Sequence, residues 1–149
     1  MTELATRTPD QAIVRFDTKI VIVVRSDLAV WQKLNMAAFL ASGVAAGAPE
    51  SIGEPYRDAS ETAYLAMFGQ PTMVFEADAD ELGLTLTRAL DRGVIPAVFT
   101  VDLFSTGNDV ANRAAVAAVA RPDLDLAGIA FRAPKNAADK ITKGLPLHS

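Results

Sequence analysis

The sequence predicts an α/β fold, a three-layer α/β/α sandwich around a four-stranded sheet that is mixed and mostly parallel. Short runs rich in β-branched residues alternate with longer segments of helical apolar periodicity. The first run, residues 19 to 25, contains five consecutive β-branched residues, 20 to 24, which is typical of a central strand buried on both faces. Because helical segments separate the strands, we expect mainly parallel crossover connections.

The first strand and the first helix are the clearest elements. After residues 1 to 17, expected to form a flexible arm, residues 19 to 25 form the strand. Ser26 and Asp27 offer N-cap oxygens to a helix over residues 28 to 46. Apolar side chains occupy almost every face of this helix, so we expect it to be buried on two sides, by the sheet and by a second subunit.

The first helix is followed by a loop rich in Pro and Gly, a short helix and then a β-α unit. A short helix is predicted over about residues 58 to 67, and a second strand over residues 72 to 77. Asp78 then caps a helix that ends at Gly93, because glycine readily adopts the left-handed conformation that closes a helix.

The last third of the chain contains two more strands. They are expected over residues 95 to 101 and 126 to 131, on either side of an Ala-rich helix over residues 109 to 120. Pro134 begins a final helix. A single domain, residues 18 to 149, accounts for all of these elements.

Composition narrows the classes of function. The 149 residues are 50% hydrophobic, contain no cysteine and carry a net charge of −4. Thiol chemistry, disulfides and cysteine-based metal sites are therefore excluded, and the acidic balance disfavours binding to tRNA or other nucleic acids. We predict a cytoplasmic protein without a secretory signal or a membrane span, and neither a metal nor a cofactor is predicted.

Seven strings stand out in the order in which they occur along the chain. They are KIVIVVRSDL at 19 to 28, Met36-Ala37-Ala38, Asp80-Glu81-Leu82, Ala89 to Gly93, Asp102, Ala133-Pro134 and Asp139-Lys140-Ile141-Thr142. In this order they resemble peptidyl-tRNA hydrolase II. The similarity covers about residues 19 to 147, and it looks closest to an uncharacterised sister family of unknown function within that superfamily. The resemblance implies the same sandwich fold and a homodimer.

The first helix departs from the pattern of that family. The resemblance implies a lysine, a glutamine and a histidine on one helical face, whereas Asn35, Phe39 and Ser42 occupy the corresponding face here. Lys33 can replace the family lysine if one inserted residue shifts the start of the helix. Asn35, Phe39 and Ser42, together with Arg25, are therefore predicted to bind a ligand.

The end of the third strand keeps part of the family signature. Asp102 matches the aspartate of that strand and Thr106 matches the threonine of the following loop, but Phe104 and Gly107 do not match. An Asp at a strand end is also commonly a turn or cap residue, and Arg25 and Asp27 have the alternative of pairing with each other.

Two hypotheses follow from these residues. The favoured one is a dimeric domain that binds an unknown small molecule or has a regulatory role, with a pocket made more apolar by Phe39. The alternative is an ester or amide hydrolase in which Lys33, Asp102 and Thr106 are catalytic. The only histidine, His148, is the penultimate residue, where chains are usually mobile, and we do not expect it to be catalytic.

Overall fold

The computed structural model describes residues 15–149. The expected arm lies outside the described residues, except for positions 15 to 17, and the backbone carbonyl of Asp17 accepts a hydrogen bond of 2.8 Å from the N–H of Lys135. In chain order the elements are β1 (Thr18–Arg25), α1 (Val30–Gly47), β2 (Tyr56–Arg57), β3 (Ala63–Tyr64), β4 (Thr72–Ala77), α2 (Ala79–Asp91), β5 (Ala97–Thr100), α3 (Asp109–Ala117), β6 (Leu126–Pro134) and α4 (Lys135–Ile141).

Four strands form the main sheet, in the order β4-β1-β6-β5. The α/β class and the mixed four-stranded sheet are therefore confirmed. The expectation of a mostly parallel sheet is wrong: only β1 and β4 pair in parallel, and β6 runs antiparallel to both β1 and β5. An apolar run indicates that a strand is buried on both faces, but it does not indicate the direction in which the strand runs. Here helices cover both faces of the sheet, so parallel and antiparallel strands are buried alike.

The central strand β1 divides the core into two layers. Val21 and Val23 point to one face, where they pack with side chains of α2 and α4. Ile20, Ile22 and Val24 point to the other face and pack against α1. This alternation follows from the two-residue period of a strand, and it explains why the whole run is apolar.

Helix α1 is buried along one stripe only. Met36, Leu40 and Val44 face the sheet. Its other faces are half-buried or exposed in this chain, so the expected burial on two sides is not present within it. The N-terminal cap also differs from the prediction: Ser26 and Asp27 lie before the cap residue Ala29, whose N–H donates to the Gln32 Oε1 at 3.0 Å.

Gly128 in β6 lets α1 approach the sheet closely. A Cβ at this position would lie 2.5 Å from the Met36 Sδ and 2.8 Å from the Val23 carbonyl oxygen, distances that real Cβ atoms essentially never show. The absence of a side chain at Gly128 is therefore a packing requirement of the layer between α1 and the sheet.

The unit formed by β4 and α2 agrees with the sequence prediction. The Asp78 carboxylate accepts a 2.8 Å hydrogen bond from the Glu81 N–H, and the Glu81 carboxylate accepts one of 2.9 Å from the Asp78 N–H. This reciprocal arrangement satisfies two N–H groups that the helix leaves free. Gly93, with φ of +72°, follows the end of the helix as expected.

A small hairpin replaces the short helix expected over residues 58 to 67. Strands β2 and β3 pair antiparallel, and Asp58 holds the turn by accepting hydrogen bonds from the Ser60 and Thr62 N–H groups and from the Tyr64 hydroxyl. The Tyr64 hydroxyl, followed by the Thr62 N–H, lowers the pKa of the Asp58 carboxyl. Asp often binds the backbone two residues ahead, so the same residue type that caps helices closes a turn here.

The outer edge of β4 is covered by the C-terminal segment 146–148. The Glu76 N–H donates to the Pro146 carbonyl at 3.0 Å, and the His148 N–H donates to the Val74 carbonyl at 2.9 Å. Covering the edge prevents it from pairing with another chain. Among the helices of the described region, none is long and apolar enough to cross a bilayer.

Candidate functional site

A cleft lies between α1 and the segment that follows β5. After Thr100 the chain makes a short 3-10 helix, Val101–Phe104, and then enters α3, which the Asn108 side chain caps by accepting a 2.8 Å hydrogen bond from the Ala111 N–H. The 3-10 helix and α3 together form the wall opposite α1.

Four aromatic rings pack in a row along this cleft. The Trp31 ring meets the Phe104 ring edge-on, with centroids 5.7 Å apart. Phe104 packs against Phe99 at 4.9 Å, and Phe99 packs against Phe39 at 5.8 Å. Trp31 and Phe39 come from α1, so these contacts join the helix to the end of β5.

The cleft contains two adjoining cavities of about 450 Å³ and 440 Å³. Both are lined by Phe39, Phe99 and Leu103, and both reach the start of α3 at Asp109 and Asn112. The first cavity has a largely apolar lining and the second a mixed one, and volumes in this range are typical of small-molecule sites.

The polar groups of the cleft are mainly amides and hydroxyls. The Thr106 hydroxyl is in hydrogen-bond contact with the Leu103 carbonyl, at 3.0 Å, and with the side-chain amide of Asn112. The Asn112 Oδ1 faces the Thr106 hydroxyl, so this side chain accepts a hydrogen bond from Thr106. Asn35 lines the same cavity from α1.

Three of the predicted site residues therefore lie together. Asn35, Phe39 and Thr106 line one cavity, and the face of α1 that carries Asn35 and Phe39 looks toward the end of β5, as the sequence suggested. Ser42 does not line either cavity: it is exposed and its hydroxyl donates to the Phe39 carbonyl at 2.6 Å.

Lys33 lies at a different place from Asp102 and Thr106. Its Nζ is 3.1 Å from the Nε2 of His148, beside Glu76 on the edge strand β4. Asp102 follows β5, at the opposite edge of the sheet, and its side chain is exposed outside both cavities. The three residues predicted to be catalytic thus do not form one cluster, and their roles stay predictions.

Arg25 is part of a surface ion-pair group. Its Nε donates to the Asp27 carboxylate at 2.7 Å, and its NH1 group donates to the Asp125 carboxylate at 2.7 Å and to the Leu126 carbonyl at 3.1 Å. Partial burial opposes the charged form, but the bonds to Asp125 and Asp27 outweigh it and raise the pKa of Arg25. This pairing fastens the end of β1 to the start of β6.

Two residues of interest were missed by the sequence analysis. His148 was treated as part of a mobile end, yet backbone bonds of segment 146–148 hold its ring beside Lys33. Asn112 was missed because it lies in an Ala-rich helix without a motif. Asn108, which caps α3, could have indicated the position of Asn112, because residues four apart lie on the same face of a helix.

No set of three or more His, Asp or Glu side chains within residues 15–149 is arranged to hold a metal ion. The cleft instead has aromatic walls and amide groups.

Comparisons with known proteins give a family but not an activity. The family model described as "Protein of unknown function (DUF2000)" matches residues 18–149. A solved structure of a protein of unknown function from Agrobacterium tumefaciens strain C58 is 42% identical, with a TM-score of 0.88, over 91% of this chain and 100% of that one. No curated protein matches this sequence. The family model covers most of the chain and the solved relative is closely similar, so this protein belongs to the DUF2000 family.

Proposed function

We propose that this protein binds a small molecule with an apolar body in the cleft between α1 and α3. The observation that carries the proposal is the pair of adjoining cavities that share Phe39, Phe99 and Leu103. Exposed aromatic side chains at the rim of a preformed cavity are favourable contacts for a ligand, because burying them removes apolar surface from water.

The polar groups indicate what the ligand carries besides an apolar body. Asn35 and Asn112 present amides, which donate and accept hydrogen bonds, and Asp109 is paired with Arg113 at 3.2 Å at the mouth of the first cavity. A carbonyl, amide or carboxylate group would complement these side chains. Acyl-amino acids, aromatic amino acids and nucleosides are the classes that fit this description.

The geometry favours binding over hydrolysis. A hydrolase needs a general base and a group that polarises the carbonyl close to the same substrate atom. Thr106 lines the cleft, but Lys33 and Asp102 do not line it. Peptidyl-tRNA hydrolase activity, and kinship with that superfamily, stay hypotheses, supported by the resemblance of the sequence strings and by the retained Asp102 and Thr106. An assay of peptide release from peptidyl-tRNA tests the activity.

The binding proposal is tested by thermal shift and calorimetry with those three classes of ligand. Phe39→Ala removes a wall shared by both cavities and is expected to weaken binding at least tenfold, since a large aromatic contact is lost. Leu84→Ala is the matched control, because Leu84 is 51% exposed, close to the 54% of Phe39, and lies in α2 outside both cavities.

If no compound of these classes raises the melting temperature, the proposal fails. It also fails if Phe39→Ala and Leu84→Ala weaken binding equally, because the ligand would then lie elsewhere.

We also propose that two copies of the chain associate through the outer face of α1. Val30 and Leu34 lie one turn apart on this face and are 72% and 68% exposed, which leaves apolar surface that a second copy can bury. Cytoplasmic localisation stays a prediction.

A further inference from the structure

A pair of opposite charges lies on one side of the first cavity. Asp109 and Arg113 stand one turn apart on α3, and both line this cavity. The NH1 group of Arg113 donates to the Oδ2 of Asp109 at 3.2 Å. Of the described residues that line the cavity, only these two are charged, so the charged groups of a ligand find partners only beside them.

The rest of this cavity favours an apolar group. Phe39, Leu103 and Val116 line it from α1, from the 3-10 helix and from α3. Gly43 and Ala97 line it as well, and helix and strand are in contact there, because a Cβ at Gly43 would lie 2.8 Å from the Cβ of Ala97. The cavity is therefore bounded at that point, and a compact apolar side chain fits it better than a long chain.

The charged pair is available to a ligand at little cost. The side chains of Arg113 and Asp109 are 66% and 81% exposed, and ion pairs as exposed as this one contribute little to stability. Their contact uses one carboxylate oxygen and one guanidinium nitrogen. A second oxygen and further N–H groups therefore remain for a ligand.

We infer that the ligand is a free α-amino acid with an apolar side chain. Its ammonium group donates to the Asp109 carboxylate, its carboxylate accepts from the Arg113 guanidinium, and its side chain lies against Phe39 in the first cavity. The inference rests on the proposed binding function and narrows the ligand classes named there. An acyl-amino acid lacks the ammonium group and a nucleoside lacks both charges, so neither complements the pair.

Calorimetry with the full chain compares L-phenylalanine with related compounds. 3-Phenylpropanoate lacks the ammonium group and 2-phenylethylamine lacks the carboxylate, and each is expected to bind about tenfold more weakly because one charge-assisted hydrogen bond is lost. Glycine keeps both charges but has no side chain, and it is expected to bind too weakly to measure. L-Leucine is expected to bind, since the lining of the cavity is apolar on several sides.

Two variants assign each charge of the ligand to its partner. Asp109→Asn is expected to weaken the binding of L-phenylalanine about tenfold but not that of 3-phenylpropanoate, which has no ammonium group. Arg113→Gln is expected to weaken the binding of L-phenylalanine about tenfold but not that of 2-phenylethylamine, which has no carboxylate. A purely structural role of the pair would instead lower the affinity for all three compounds alike.

A second exposed ion pair supplies matched controls. The Arg57 NH1 lies 3.6 Å from the Glu61 Oε2 in the hairpin of β2 and β3, and the two side chains are 58% and 80% exposed, close to the exposure of the pair on α3. Neither residue lines the first cavity. Glu61→Gln and Arg57→Gln remove the same charges from the chain and are expected to leave the binding of L-phenylalanine unchanged.

The outcomes separate the two proposals. The amino-acid inference is overturned if 3-phenylpropanoate binds as tightly as L-phenylalanine, or if Asp109→Asn and Glu61→Gln have equal effects. It is also overturned if neither L-phenylalanine nor L-leucine binds. The proposed function survives these results when acyl-amino acids or nucleosides bind in a way that depends on Phe39. If no compound of any class binds, both proposals fail.

Discussion

The Nζ of Lys33 lies 3.1 Å from the Nε2 of His148, although the two residues are 115 positions apart in the chain. The Nδ1 of His148 is 2.9 Å from the Ser149 carbonyl, a contact that needs the ring proton on Nδ1 and leaves Nε2 to accept from the Lys33 ammonium. The Glu76 carboxylate is 3.6 Å from the same Nε2. The contact joins α1, β4 and the C-terminal segment, and it explains why Lys33 points away from the cleft.

We expect this contact to stabilise the C-terminal segment. Lys33→Ala and His148→Ala should each cost about 0.5–1.5 kcal/mol of unfolding free energy, because each removes one partly buried hydrogen bond. The double variant should cost little more than either single one, as measured by urea unfolding. Hydrogen exchange at the Glu76 and His148 N–H groups should accelerate in all three. Fully additive costs would mean that the two side chains do not interact.

Gly128 should not accept even one methyl group. Gly128→Ala places a Cβ against the Met36 sulfur and the Val23 carbonyl, and overpacking of this kind costs about 1–3 kcal/mol. Gly83→Ala is the control, because a Cβ there meets nothing within 4 Å, and it should be neutral or stabilise the protein by up to about 1 kcal/mol. Thermal unfolding measures both. An equal effect of the two variants would contradict the packing described for α1.

The hairpin formed by β2 and β3 should weaken at low pH. Its Asp58 has a lowered pKa in the folded chain, so the carboxylate contributes stability above the ordinary pKa of Asp, and this contribution is lost as the pH falls through the lowered pKa. Asp58→Asn should make hydrogen exchange at the Ser60 and Thr62 N–H groups faster at neutral pH and remove the acid dependence. Exchange that is unchanged in this variant would show that Asp58 does not hold the turn.

The proposed self-association depends on the outer face of α1. Leu34→Lys places a charge on that face and should convert dimers to monomers in sedimentation experiments, because burial of an unpaired charge is costly. Val110→Lys is the control: Val110 is also 68% exposed but lies on α3. A wild-type chain that is monomeric at all concentrations, or equal effects of both variants, would exclude this interface.

The elements that sequence analysis predicted well are those with strong local signals. The unbroken apolar run of β1 and the Asp78 cap before α2 are local features, and the structure has both. The direction of β6 is not local: its side chains alternate in the same way whichever direction the strand runs, so the antiparallel pairing could not be inferred from its composition.

Only some of the predicted site residues lie together, for a similar reason. Helical periodicity correctly placed Asn35 and Phe39 on one face, since that relationship depends only on the geometry of α1. The position of Lys33 depends on a distant segment, and its contact with His148 has no counterpart in local spacing. The contact between Gly43 and Ala97 depends on the close approach of two elements, which is a property of packing rather than of sequence pattern.

The strand order has a consequence for the nascent protein. Strand β1 leaves the ribosome first, but β6, its neighbour on one side, is made near the end, and the segment that covers β4 is made later still. A chain stalled before residue 126 therefore carries a central strand with one bare side, and a chain stalled before residue 146 carries an open outer edge. Unpaired backbone of this kind can pair with another chain, so an unfinished copy is more prone to aggregate than a finished one.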